Sequence, residues 1–220
     1  MKPTRLAFDA FFSRTNLHEP HPFPEDVLDL LGSPLATWLE ALLTALGPSP
    51  VRNFPGVTLQ GNVYISEGVT IEPTAMIQGP TYIGPNSEIR HGAYIRGTTY
   101  IGKGCVVGHT TEVKGSCFLD GAKAGHFAYV GDSILGREVN LGAGTKLANL
   151  RLQHDEVFYK DPTSGMRIAS GLRKFGAILG DHVQTGCNSV LSPGSLLLPN
   201  TGVYPCVHFH GTCTKGFVKK

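Results

Sequence analysis

The sequence predicts a mainly β chain wound into a three-sided parallel β-helix, with a short helical segment at its N-terminal end. Two observations predict it. An aliphatic residue returns every six positions over most of the chain, and a slim residue precedes it by two. The composition agrees, since 28 glycines and 15 prolines in 220 residues describe a chain that turns often.

The repeat begins at Ile65 and continues in steps of six through Ile71, Ile77, Ile83, Ile89, Ile95, Ile101, Val107 and Val113. Slim residues stand two places earlier, from Val63, Val69, Ala75 and Thr81 to Cys105 and Thr111. The frame slips by one residue to Phe118, Ala124 and Val130, and again to Leu135, Leu141 and Leu147. It resumes at Leu179, Thr185, Leu191, Leu197 and Val203. Six residues make one flat side of a triangular prism, and three sides close a coil. The aliphatic residue fills the inside, the slim one leaves room at the corner, and stacking coils bury together what one strand cannot bury alone. An ordinary alternating sheet has period two and does not give this pattern. Stacking predicts three inward columns, among them Ile77, Ile95, Val113, Val130, Leu147 and Ile89, Val107, Ala124, Leu141.

Two segments leave the repeat. Residues 24–47 carry Val27, Leu28, Leu31, Leu35, Trp38, Leu39, Leu42, Leu43 and Leu46 on one stripe, which predicts two short helices. Ser33 is the expected N-cap and Pro34 the first helical residue of the second, and Gly47–Pro48 ends it. Residues 1–53 are thus expected to form a helical cap over the open end of the prism, where strand edges would otherwise be bare, and 54–220 the β-helix. The segment of about 150–175 contains Arg151, His154, Lys160, Arg167, Arg173 and Lys174 and reads as a basic loop thrown out of the helix.

A net charge of +2 indicates neither a nucleic-acid surface nor an acidic tail. No apolar run approaches the roughly 20 residues that span a bilayer, and the first dozen residues lack a secretory pattern. Five cysteines without a CxxC pair argue against a disulfide framework or structural zinc. The expectation is a cytoplasmic protein without membrane contact.

Residues one coil apart lie above one another, so Arg96 and Lys114 form a stacked pair of cations just outside one inward column. Such a pair is either a solvated basic edge or a phosphate clamp. Tyr129 and Asn149 flank later members of that column. Beside the neighbouring column His91, His109 and His126 form a ladder, with Asn140 close by. Stacked imidazoles disfavour one another's protonation, and a histidine within this polar cluster is a candidate general base.

The stretch Glu112–Val–Lys114, Lys123–Ala–Gly–His126–Phe–Ala–Tyr129–Val–Gly–Asp132, Val139–Asn140–Leu–Gly–Ala143–Gly–Thr145 and Asn149 resembles the acetyltransferase domain of the bifunctional enzymes that make UDP-N-acetylglucosamine. The continuation Ser170–Gly–Leu–Arg173–Lys174–Phe–Gly–Ala177 is similar to the archaeal kind. The resemblance implies a single-stranded left-handed β-helix of the hexapeptide-repeat type, opposite in hand to ordinary parallel crossovers. It implies a homotrimer with sites between prisms, acetyl-CoA as co-substrate, no required metal, and an amino-sugar phosphate, glucosamine-1-phosphate above all, as acceptor. By position it makes His126 the general base, with Asn149 assisting at the reacting centre. Arg96 and Lys114 hold the phosphate, Tyr129 and Asn140 hold the amino sugar, and Ala143 lies along the cofactor. Cys187 stands where the family has a serine near the cofactor. A family lysine after the motif has no direct counterpart, and Lys160, Arg173 or Lys174 are its candidates, Lys174 being assigned to the cofactor. Asn149 is followed by Leu150–Arg151–Leu152 where the bacterial motif differs, which is where acceptor choice is expected to change. The 53 residues before the prism hold no glycine-rich nucleotide loop, so a separate nucleotidyltransferase is expected to supply that step. A non-catalytic scaffold that binds a sugar nucleotide or a protein partner is the alternative. A zinc carbonic anhydrase on the same prism is disfavoured, because that family pairs histidines five apart and the ladder does not.

Overall fold

The inward columns assemble as the period requires. In the computed structural model, which describes residues 6–15, 17–22, 24–50 and 53–219, three parallel eight-stranded sheets form the sides of a prism. The first sheet starts with Thr58–Gln60, the second with Val63–Ile65 and the third with Thr70–Ile71, and successive strands visit them in turn. Register pairs Ile77 with Ile95, Ile95 with Val113, Val113 with Val130, and Val130 with Leu147 in the first sheet. The third pairs Ile89 with Val107, Val107 with Ala124, and Ala124 with Leu141. Both one-residue slips are therefore taken up in turns, and no strand loses its inward residue. Ile77, Ile83, Ile89, Ile95 and Ile101 are all fully buried in one continuous core, each stabilising the fold by about 1.5–3 kcal/mol. Corners are tight: a Cβ on Gly108 would lie 1.7 Å from the carbonyl oxygen of Gly125 on the next coil.

The N-terminal segment lies elsewhere than expected. It covers the outer face of the second sheet, not the open end of the prism. There Tyr82, Tyr100, Cys117, Ile134, Ile178 and Leu196 point outward and pack with Phe8, Phe11, Leu31, Leu35 and Leu39 in a second apolar cluster. Trp38 meets Tyr100 edge-on with ring centres 5.6 Å apart, and the Tyr100 hydroxyl donates to the Pro20 carbonyl at 2.8 Å. The two helices are a 3₁₀ turn, Val27–Leu30, whose Asp26 cap accepts from the Leu28 amide, and α1, Gly32–Leu46. Ser33 is not the N-cap. It lies inside α1, which no side chain caps, and Gly32 with φ +61° turns the chain into the helix.

The basic excursion is an antiparallel hairpin, Phe158–Lys160 with Arg167–Ala169. Its inner side carries Tyr159 into the same second cluster, so it is a packed element and not a free loop. The chain leaves after Asn149 and rejoins at Phe175, whose amide donates to the Asn149 carbonyl at 2.9 Å. No helix among the described residues is long and apolar enough to cross a membrane.

Candidate active site on the uncovered faces

With the second sheet covered, the first and third sheets keep their outer faces open, and these bear the candidate residues. Arg96, Lys114 and Tyr129 stand on first-sheet strands Tyr94–Arg96, Glu112–Lys114 and Tyr129–Gly131. Arg96 and Lys114 stack as expected, but each already has a carboxylate. Arg96 Nη1 lies 2.8 Å from Glu112 Oε1, and Lys114 Nζ lies 3.4 Å from Asp132 Oδ2. The hydrogen bond that Arg96 donates to Glu112 raises the guanidinium further above its ordinary pKa. The two cations thus tolerate stacking because an anion sits beside each of them. They also line a groove of about 310 Å³ beneath Gly32, Ser33 and Ala36 of α1, with Asp132 in its wall.

Asp132 joins the cluster. It is buried, and its Oδ2 also accepts from the Asn149 amide, while the Tyr129 hydroxyl donates to Asn149 Oδ1 at 3.4 Å. Burial pushes the Tyr129 phenol above its ordinary pKa, with Glu112 and Asp132 adding to the effect, so it stays a donor. Lys114, Asp132, Asn149 and Tyr129 therefore form one connected chain. Neither Glu112 nor Asp132 was assigned a role from the sequence. The available signal was a carboxylate next to each cation once coils are stacked.

At the corner between the third and first sheets lies the histidine ladder. His91 and His109 stack with centres 5.4 Å apart and planes 10° apart, and His109 is in register with His126. The column continues through Ala143 to Cys187, because Gly144 N donates to His126 O and Asn188 N to Ala143 O, each one place further along. His126 is exposed, and the Phe127 ring stands 6.5 Å away, edge-on. His126, Ala143 and the exposed Cys187 therefore share one open edge, which the small side chain of Ala143 leaves unobstructed.

Not every candidate converges. Asn140 is exposed on the third sheet beside Lys123, a face away from Tyr129 and Asn149 in the same chain. Lys174 is exposed one residue before Phe175, by the backbone of Asn149, at the corner between first and second sheets. It is on the other side of the first sheet from Ala143 and Cys187. Lys160 is on the hairpin. Among the described residues, no group of three or more His, Cys, Asp or Glu side chains is placed to hold a metal ion.

Fold and exposed ladder define a hexapeptide-repeat parallel β-helix with polar residues on two open faces. The chain belongs to the family described as the GMPPB C-terminal domain, whose model matches residues 77–210. It is 46% identical over 87 residues to a bifunctional sugar-1-phosphate nucleotidylyltransferase/acetyltransferase of Sulfurisphaera tokodaii, which is 40% of this chain and 21% of that protein. It is 43% identical over 138 residues to the bifunctional protein GlmU of Methanococcus maripaludis, 63% of this chain and 33% of the relative. The chain thus spans between a fifth and a third of these relatives' length. Among solved structures, the polysialic-acid-specific acetyltransferase NeuO matches with a TM-score of 0.39 at 13% identity, over 77% of this chain and 80% of that one.

Proposed function

We propose that the chain is an acetyl-CoA-dependent N-acetyltransferase whose acceptor is an amino-sugar phosphate, glucosamine-1-phosphate first among them. The observation that carries this reading is the first-sheet face itself. The His126 edge lies at one side of it and the Arg96–Lys114 pair at the other, because Gly131, five residues beyond His126, is in register with Lys114 on the preceding coil. In this reading a hexosamine phosphate lies across the face, with its amine toward His126 and its phosphate toward the cations. Phosphate binding replaces or supplements Glu112 and Asp132 as the anions beside them.

In this reading the neutral amine attacks the thioester carbonyl and forms the C–N bond. His126 takes the proton released from nitrogen, the C–S bond breaks, and the coenzyme thiolate leaves and is protonated. Positioned proton transfer of this kind contributes about 10²–10⁴ in rate. Tyr129 binds the sugar and Asn149, held between Tyr129 and Asp132, assists at the reacting centre, while Ala143 and Cys187 line the path of acetyl-CoA. Asn140, facing away on the third sheet, joins the site only across a subunit boundary. This supports a homotrimer in which the third face of one copy meets the first face of another. Release of free thiol, monitored with glucosamine-1-phosphate and acetyl-CoA, tests the activity. No turnover with any hexosamine phosphate would overturn it. The carboxylate partners of Arg96 and Lys114 favour a second reading, a non-catalytic scaffold that binds a sugar nucleotide or a protein partner and whose charged edge is structural, which predicts no thiol release in the same experiment.

A further inference from the structure

The hairpin and the last coils enclose a groove of about 460 Å³ that the acetyl-transfer reading does not use. Its cationic side is built by Arg167 and Arg151. Arg167 lies with its guanidinium carbon 3.8 Å over the Phe158 ring, and Arg151 sits 5.6 Å from the same ring. Phe158 and Arg167 share the side of the hairpin opposite Tyr159, since Lys160 pairs directly with Arg167 and residues alternate along each strand. Arg151 is paired with Asp155 at 3.1 Å. Arg167 has no carboxylate within salt-bridge distance among the described residues. The opposite wall is mixed, with Ser192 and His210 beside Leu150, Leu152 and Pro193, and Leu152 is 92% exposed at the rim.

We infer that this groove is a nucleotide-phosphate site. Arginine forks match phosphate geometry with two parallel donors, and a guanidinium stacked on an aromatic ring is held with its edge free to donate. The apolar rim suits a base or ribose, which bare inorganic phosphate does not require. Position supports it. Ala148 in the groove wall lies on the same first-sheet row as Arg96 and Lys114, two coils beyond Lys114, or about 10 Å at the usual strand spacing. The nucleotide belongs either to a nucleoside-diphosphate-activated sugar or to the adenosine 3′,5′-bisphosphate end of a coenzyme. Both offer the same chemistry to the two arginines. The support from position rests on the acetyl-transfer reading of Arg96 and Lys114, whereas the support from the two arginines and the groove does not.

Calorimetric titration of the full chain with UDP and, separately, with adenosine 3′,5′-bisphosphate tests the inference. One of the two probes is expected to bind with one site per chain. Arg167→Ala should weaken that binding at least about tenfold, the value of one charge-assisted hydrogen bond, and Arg151→Ala should weaken it as well. Lys114→Ala should leave it unchanged. UDP as the probe that binds identifies an activated sugar, and the bisphosphate identifies the coenzyme. Because Arg167 is exposed, its variant should keep the wild-type melting temperature, which separates loss of the site from loss of the fold. Absence of binding by both probes, or binding that Lys114→Ala weakens and Arg167→Ala does not, overturns the proposal. Neither result bears on whether glucosamine-1-phosphate is acetylated.

Discussion

His126 stands exposed at the corner where His91 and His109 stack, and the proposed chemistry asks it to accept one proton. His126→Ala is expected to lower kcat for amine acetylation by about tenfold or more, with a smaller loss at high pH, where more of the amine is already neutral. Full activity in that variant would remove the base from the mechanism. Lys114 is expected to act on one substrate only. Lys114→Ala should raise KM for the sugar phosphate far more than for acetyl-CoA, and equal effects on both would make Lys114 structural. The cysteines divide by environment. Burial pushes the Cys105 thiol up to about 12 and raises that of Cys117 as well, so both stay protonated and inaccessible at neutral pH, whereas Cys187 and Cys206 are exposed. Maleimide at pH 7.5 should label Cys187 and Cys206 quickly and spare Cys105 and Cys117 until the protein unfolds. At this scale the sequence revealed the stacking of Arg96 on Lys114 and the His ladder, because both follow from counting residues per coil. The pairing of Glu112 with Arg96 and of Asp132 with Lys114 and Asn149 was less visible. It depends on where side chains lean, which a residue count does not specify.

Elements were legible in proportion to their regularity. The strands follow from the six-residue step, down to the two slips before Phe118 and Leu135. The hairpin was hidden because its inward residues, Val157 and Tyr159, have no periodic partners to announce them. Helix α1 was visible as an apolar stripe, yet its start was misplaced, since a glycine with φ +61° turns the chain where a serine cap was expected. Its location is signalled by the outward residues of the three sheets. Outward positions of the second sheet are Tyr82, Tyr100, Cys117 and Ile134, whereas those of the other two sheets include Arg96, Lys114, Lys123 and Asn140. Only the first set wants a cover. Leu39 is fully buried beneath that cover, so Leu39→Ala should cost about 2–5 kcal/mol in denaturant unfolding. A loss well under that range would mean that α1 is only loosely held on the sheet.

For the whole molecule, one face of the prism is sealed by its own N-terminal segment and two are open, an arrangement suited to packing side by side. Sedimentation at micromolar concentration is expected to give a trimer, and a monomer would remove the shared-site arrangement. The overall architecture was legible because every coil repeats one solution, whereas the assembly depends on surfaces that no repeat specifies.

The hairpin excursion also has a consequence for how the molecule comes together in time. Neighbouring coils elsewhere pair residues 15 to 18 apart, as Cys117 does with Ile134 at 17, but Ile134 pairs with Ile178, 44 residues on. Closing that longer span costs about 0.8 kcal/mol more in chain entropy than closing an ordinary coil, and it must be met before the final coils can zip onto the rest. The join is therefore the natural place for the molecule to hesitate while folding and to part first under stress. Asp181, just beyond the join, is the rivet across it. Its carboxylate accepts from Arg137 on the near side and from the Ser13 amide of the covering segment, and the Asp181 amide donates to Phe11 O. Removing the carboxylate with Asp181→Ala should cost about 1–3 kcal/mol, and hydrogen exchange should then split into two blocks. Amides from Leu179 onward would exchange ahead of those before Leu147, whereas uniform exchange would mean that the prism opens as one body.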